Sequence, residues 1–170
     1  MSIQLLFCVE TRQTAETDKI YIDETIANFY HLGNSVRKRY IFFKGKGNYN
    51  KQKVVKRINE QIRQFKDLGP TYVIYCIDTD RYDANPDQAR ELGKIQNYCE
   101  HNRYDLVWFC RDVEDVYWGE QVHNDDKTRM AARFRSGMRI KNISSENLKK
   151  EQYSRHMSNI LIVLDKYLGK

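Results

Sequence analysis

Three short apolar runs in this chain each end on a carboxylate: Cys8-Val9-Glu10, Cys76-Ile77-Asp78 and Cys110-Arg111-Asp112. The runs themselves, residues 3–9, 72–77 and 106–110, have the length of strands, and residues 39–43 supply a fourth. Helical patterns separate them. Ile22, Ile26, Phe29 and Tyr30 recur at helix spacing over about 18–32, and Val54, Ile58, Ile62 and Phe65 form a second stripe that stops at Gly69-Pro70. Asn85 is placed to cap a third helix, with Pro86 at its first position and Ala89, Leu92, Ile95 and Cys99 facing inward. Strand and helix in strict alternation give a parallel sheet with crossover helices, and near-continuous apolar strands are those covered on both faces.

The expected fold is therefore α/β and Rossmann-like, with a four-stranded, mainly parallel sheet over residues 1–118. Residues 119–170 are expected to add a basic segment and a C-terminal helical extension packed on that core, in a single domain. Ser144 or Ser145 would cap the last helix, with Tyr153, Met157, Ile160, Leu161, Leu164 and Leu168 on its stripe. The pattern between about 120 and 142 is weak. A length of 170 residues with 41% hydrophobic side chains suffices for a core without disulfides. Cys8, Cys76, Cys99 and Cys110 form no C-x-x-C pair and read as buried hydrophobes rather than as a zinc site. No apolar run is long enough for a membrane, and no basic leader precedes residue 3, so a cytoplasmic protein is expected.

Charge is unevenly spread. Residues 31–70 carry 11 basic against 2 acidic side chains, and residues 71–120 carry 5 against 11. Parallel strands bring their C-terminal ends to one edge, where ligands of open α/β sheets bind. Glu10, Asp78, Asp80 and Asp112 are expected to converge there, with Glu114 and Asp115 just beyond. Converging carboxylates raise one another's pKa and need a cation to stay ionised. Mg²⁺ suits hard oxygen ligands, with Mn²⁺ as its substitute, and such a centre suits phosphodiester chemistry.

A strand ending in Glu, followed two βα units later by a strand ending in Asp-x-Asp, resembles the Toprim domain family. Here the pattern reads Leu5-Leu6-Phe7-Cys8-Val9-Glu10 and Val73-Ile74-Tyr75-Cys76-Ile77-Asp78-Thr79-Asp80. The resemblance spans residues 3–118, and the size is most similar to stand-alone Toprim nucleases of the RloB and OLD types. It implies a Mg²⁺-dependent nuclease cutting DNA or RNA, with a role in bacterial phage defence. Glu10 would carry general acid/base work and bind metal, Asp78 and Asp80 would hold metal, and Glu114 would supply a further ligand. The family often has Gly after its Glu, where this chain has Thr11. A Toprim-like module that binds nucleic acid or a protein partner without catalysis is the alternative. A phosphatase of the haloacid-dehalogenase type would place its Asp-x-Asp after the first core strand, and here the pair follows the third.

Two basic stretches, residues 37–57 and 129–141, are candidate nucleic-acid contacts. Lys44 and Lys46 flank Gly45 in a loop before a helix, without Walker A spacing. Arg129, Arg133 and Arg135 interleave with Met130 and Phe134, as in a nucleic-acid clamp or a helix facing a partner protein or a second copy.

Overall fold

The computed structural model describes residues 1–169. Four strands, β1 (Ile3–Val9), β2 (Val36–Phe42), β3 (Thr71–Asp78) and β4 (Asp105–Phe109), form one all-parallel sheet in the order β2-β1-β3-β4. Registers run Ile3↔Val36 to Val9↔Phe42, Gln4↔Thr71 to Val9↔Cys76, and Ile74↔Asp105 to Asp78↔Phe109. Helix α1 (Thr17–Phe29) joins β1 to β2, α2 (Gln52–Phe65) joins β2 to β3, and α3 (Pro86–Asn102) joins β3 to β4. The chain steps from β1 outward to β2, then back across β1 to β3. That reversal puts α1 on one face of the sheet and α2 and α3 on the other.

Strand alternation feeds both faces. Leu5, Phe7, Val9, Ile74, Cys76, Val107 and Phe109 point to the α1 face and pack with Tyr21, Ile22 and Ile26. Leu6, Cys8, Val73, Tyr75 and Ile77 point the other way, against Val54, Ile58, Leu92, Ile95 and Cys99. All four cysteines are reduced and buried, as core residues should be. Asn85 caps α3 as its sequence position implies, accepting from the N–H groups of Asp87 and Gln88. After α2, Gly69 passes so near Ser2 that a Cβ there would lie 1.7 Å from the Ser2 carbonyl oxygen.

The rest of the chain closes the α1 face. Helices α4 (Val113–Trp118), α5 (Lys127–Ser136) and α6 (Ile160–Leu168) share one apolar cluster with α1 and the sheet. Tyr21 stacks on Tyr117 at 5.1 Å, and Phe134 meets both rings. Residues 119–169 thus contribute to the core itself. No described helix is long and apolar enough to cross a membrane.

The C-terminal helix is shorter than expected. Ser144 caps only a 3₁₀ turn over Ser145–Leu148, and α6 begins at Ile160. The intervening segment instead runs along the exposed edge of β4. Asn159 takes the place of a neighbouring strand: its Oδ1 accepts from Trp108 N–H and its Nδ2 donates to the Leu106 carbonyl, each at 2.9 Å. Edge groups of a strand need such partners, and satisfying them outweighs the helical periodicity of residues 153–157.

Candidate functional site

Among the described residues, three of the seven non-glycine residues with left-handed backbone angles follow the C-terminal ends of strands. Lys44 after β2, Asp80 after β3 and Arg111 after β4 all adopt left-handed backbone angles, with φ of 60°, 51° and 67°. Non-glycine residues reach that region at a cost, and such outliers gather at functional edges. Hydrogen bonds extend the sheet past its last residues and hold these turns: Phe43 N–H to the Val9 carbonyl, Gly45 N–H to the Glu10 carbonyl, Thr79 N–H to the Phe109 carbonyl and Asp80 N–H to the Arg111 carbonyl. Thr79, fully buried, accepts from Arg111 N–H through its hydroxyl at 2.9 Å and pins β3 to the turn after β4.

Glu10 and Asp78 meet across the gap between β1 and β3, where the strand order reverses. The N–H of Asp78 donates to Glu10 Oε1 at 2.9 Å. Asp78 Oδ1 in turn accepts from Val113 N–H at 3.0 Å, which ties the end of β3 to the first turn of α4. Asp112 caps that helix, accepting from Asp115 N–H at 2.8 Å. These bonds place Glu10, Asp78, Asp80, Asp112 and Glu114 along the same sheet edge, with Asp78 between Glu10 on one side and the start of α4 on the other. Asp115 turns aside and lies 3.1 Å from His156 Nδ1.

Two lysines and one further acid complete the cluster, and sequence reasoning places none of them there. Lys46 is buried, with its ammonium ion-paired to Asp80 and 3.9 Å from Glu10 Oε1. It is therefore not the exposed phosphate contact its loop position suggests. Lys127, at the start of α5, donates to Asp112 Oδ2 at 3.3 Å and lies 2.9 Å from Glu114 Oε2. Asp18, in the first turn of α1, is buried, and its charge acts on both Glu10 and Asp78. The available signal was general: every helix following a strand starts at this edge, so its first-turn acids belong on the candidate list.

Six carboxylates thus face two ammonium groups, and burial, with the neighbouring negative charges behind it, raises the pKa of the enclosed ones. Burial pushes the Glu10 carboxyl up to about 8, and Asp18 raises it further while Lys46 opposes the rise. Burial, then the charge of Glu114, lifts Asp18 to about 7. Asp78 is held well above the ordinary carboxylate range by burial and by Glu10 and Asp18. Glu114 is raised by burial, against the pull of Lys127. Desolvation opposes the charge on Lys46, but the carboxylates outweigh it and hold the ammonium protonated.

The donor chemistry, oxygen only, mostly buried and short of positive charge, is the kind a hard divalent cation takes, but the spacing is not that of a bound ion. Glu114 is 1% exposed, and its Oε2 is met by the Lys127 ammonium at 2.9 Å and by no other donor among the described residues. Among the described residues no three acidic, histidine or cysteine side chains are gathered as tightly as a bound ion requires. Lys46 and Lys127 stand between the carboxylates instead. Thr11, where Gly is frequent in Toprim domains, is not among the left-handed residues, so this turn does not need glycine.

Of the remaining basic candidates, Lys44 is exposed beside the cluster. Arg129, Arg133 and Arg135 are exposed on α5, with Arg129 2.7 Å from Asp126 and Arg135 3.2 Å from Glu24. Comparison with known proteins finds no matching family model, no matching curated protein and no matching solved structure.

Proposed function

We propose that this chain is a Mg²⁺-dependent nuclease of Toprim type, cleaving phosphodiester bonds in DNA or RNA, with Mn²⁺ as an alternative ion. The observation that carries this reading is the cluster itself: six carboxylates against two lysines, built from three successive strand ends and the helices that follow them. A purely structural cluster would be expected to balance its buried charge. An excess of buried acids at a sheet's C-terminal edge is suited to a ligand that brings positive charge.

Asp78, Asp80, Glu10 and Glu114 would hold the metal, which supplies an activated water and charge neutralisation at a phosphoryl oxygen. The resemblance also gives Glu10 proton transfer, and in the metal-free chain burial pushes its carboxyl up to about 8. Lys46 would place a fixed positive charge beside the transferring phosphoryl group. Asp112 and Lys127 would orient Glu114. Lys44, Arg129, Arg133 and Arg135 are available to backbone phosphates because their side chains are exposed. Phage defence belongs to this reading only through the family it resembles.

A second reading also has a specific observation. Lys46 already bridges Glu10 and Asp80 much as a cation would, so a nucleic-acid-binding module that manages without metal would have this arrangement.

The test is cleavage of single- and double-stranded DNA and of RNA with Mg²⁺, Mn²⁺ or EDTA, comparing the wild type with Glu10→Gln and Asp78→Asn. Metal-dependent cutting that both folded variants lose supports the nuclease. A wild type inert with every polymer and metal, or variants that cut equally well, excludes it.

A further inference from the structure

Beside the carboxylate cluster, where β2 turns into α2, lies an open groove of about 490 Å³. Its rim carries Lys44, Lys51, Lys53 and Arg57, its floor is Phe42 and Phe43, and no acidic side chain lines it. Lys44, Lys51 and Lys53 are exposed, and none of the four cations forms an ion pair among the described residues. Lys19, Lys38, Arg129 and Arg135, by contrast, are each matched to an acid. Four unmatched cations around one concavity repel one another unless an anion joins them.

The groove is tied to the site through the chain on either side of Glu10. Its Gln13 lies three residues after Glu10, and the loop that carries Lys44 is bonded to Glu10 through Gly45 N–H and the Glu10 carbonyl at 2.8 Å. Helix α2 starts here with no side-chain cap and no acid in its first turn, so its positive end faces the same space. The basic surface then continues along α2 through Lys53, Lys56 and Arg63, with Glu60 as that helix's single acid. Ten residues of helix from 53 to 63 span about 15 Å. That length presents charge to several phosphates in a row, and a lone phosphate or mononucleotide would leave most of it unmet.

We propose that this groove and the outer face of α2 bind the sugar–phosphate backbone of the nucleic acid adjoining the phosphodiester at the carboxylate cluster. The assignment rests on the nuclease reading for its orientation; it narrows the basic stretch 37–57 to Lys44, Lys51, Lys53 and Arg57 around one groove and extends it along α2 through Lys56 to Arg63. Recognition is by charge rather than by base. Phe42 and Phe43 are buried under the groove, 7% and 3% exposed, so they offer no face for stacking. An anionic membrane is disfavoured by the same fact, because no exposed apolar side chain stands at the rim to enter a bilayer.

The experiment is fluorescence anisotropy with labelled 20-nucleotide DNA and RNA single strands and a 20-base-pair duplex, in EDTA, across a salt series. The proteins are the wild type, Lys51→Glu/Lys53→Glu, and a control, Lys94→Glu/Arg103→Glu, with the same change in net charge at exposed positions outside the groove and outside both basic stretches. The groove variant should bind at least tenfold more weakly and lose roughly 1.4 from its single-strand salt slope, about 0.7 per lost phosphate contact. The control should change less than threefold. Equal weakening in both variants, an unchanged groove variant, or a wild type that ignores all three nucleic acids yet binds phosphatidylserine vesicles overturns the proposal. EDTA separates this result from the cleavage test: groove-dependent binding without metal-dependent cutting retains the groove and rejects the nuclease. Full cutting by the groove variant does the reverse.

Discussion

The amide of Asp78 donates to Glu10 Oε1 at 2.9 Å, linking the ends of two strands that are 68 residues apart in sequence. The bond crosses the place where the strand order reverses, and it fixes the first acid of the cluster against the second. With the larger pull of Lys46, it restrains the rise in the Glu10 pKa, since a hydrogen bond to the carboxylate form favours ionisation.

Without metal, stability should fall as pH rises from about 5 to 8. Glu10 and Asp18 release their protons near 8 and 7 in the folded chain, against 4.5 and 3.8 when unfolded. Across that window the folded state holds more protons than the unfolded state, so rising pH favours unfolding, by about 1.4 kcal/mol per pH unit for each extra proton held. Lys46 has a raised pKa and loses its contribution only above 10.5, outside the window. Urea midpoints at pH 5.5 and 8.0 in EDTA should therefore drop, and excess Mg²⁺ should recover more stability at pH 8.0 than at 5.5. A midpoint that climbs with pH in EDTA would contradict the charge imbalance.

Lys46→Met removes the ammonium between Glu10 and Asp80. A buried pair broken on one side costs several kcal/mol, but Asp80 keeps 44% of its side chain exposed, so about 1–2 kcal/mol is expected at pH 8. The variant should regain more of its stability with Mg²⁺ than the wild type does, because an ion can take over the vacated charge. Thermal unfolding with and without Mg²⁺ reads both effects; equal metal responses would show that Lys46 and the ion do not share a place.

Lys44→Gly separates backbone strain from binding. Lys44 holds φ at 60°, which glycine adopts freely. Relief of the left-handed conformation should raise stability by up to about 1 kcal/mol, while loss of one rim cation should weaken oligonucleotide binding. Chemical denaturation and anisotropy on the same preparation test the pair of effects, and a destabilised variant would show that the Lys44 side chain matters to the fold.

Phe134→Ala tests whether α5 belongs to the core. Phe134 is fully buried between Tyr21 and Tyr117, and emptying such a site costs about 3–5 kcal/mol. Because α5 begins at Lys127, the variant should also loosen the Lys127 contacts to Asp112 and Glu114. A loss below about 1 kcal/mol in urea denaturation would mean that α5 is an appendage.

The sheet and its three carboxylate ends were legible because strands announce themselves locally, and parallel order follows from the alternation with helices. Asn85-Pro86 was legible for the same reason: a cap is local chemistry. Asp18 and Lys127 were not, since what makes them part of the site is the tertiary position of two helix starts, and neither stands in a distinctive pattern. The stripe from Tyr153 to Met157 misled because periodicity cannot show that Asn159 would serve β4 as a surrogate strand. Lys46 lay in a loop that reads as surface, and only the folded turn reveals that it points inward.

Everything proposed for the site depends on a divalent ion entering the cluster, and Mn²⁺ binding followed by electron paramagnetic resonance tests that step without any substrate. The wild type should hold Mn²⁺ at pH 7.5 in competition with Mg²⁺, and Asp78→Asn, folded by circular dichroism, should release it. A wild type that leaves all its Mn²⁺ free, or an Asp78→Asn variant that binds as well as the wild type, would contradict the metal centre and leave Lys46 and Lys127 as the cluster's only cations.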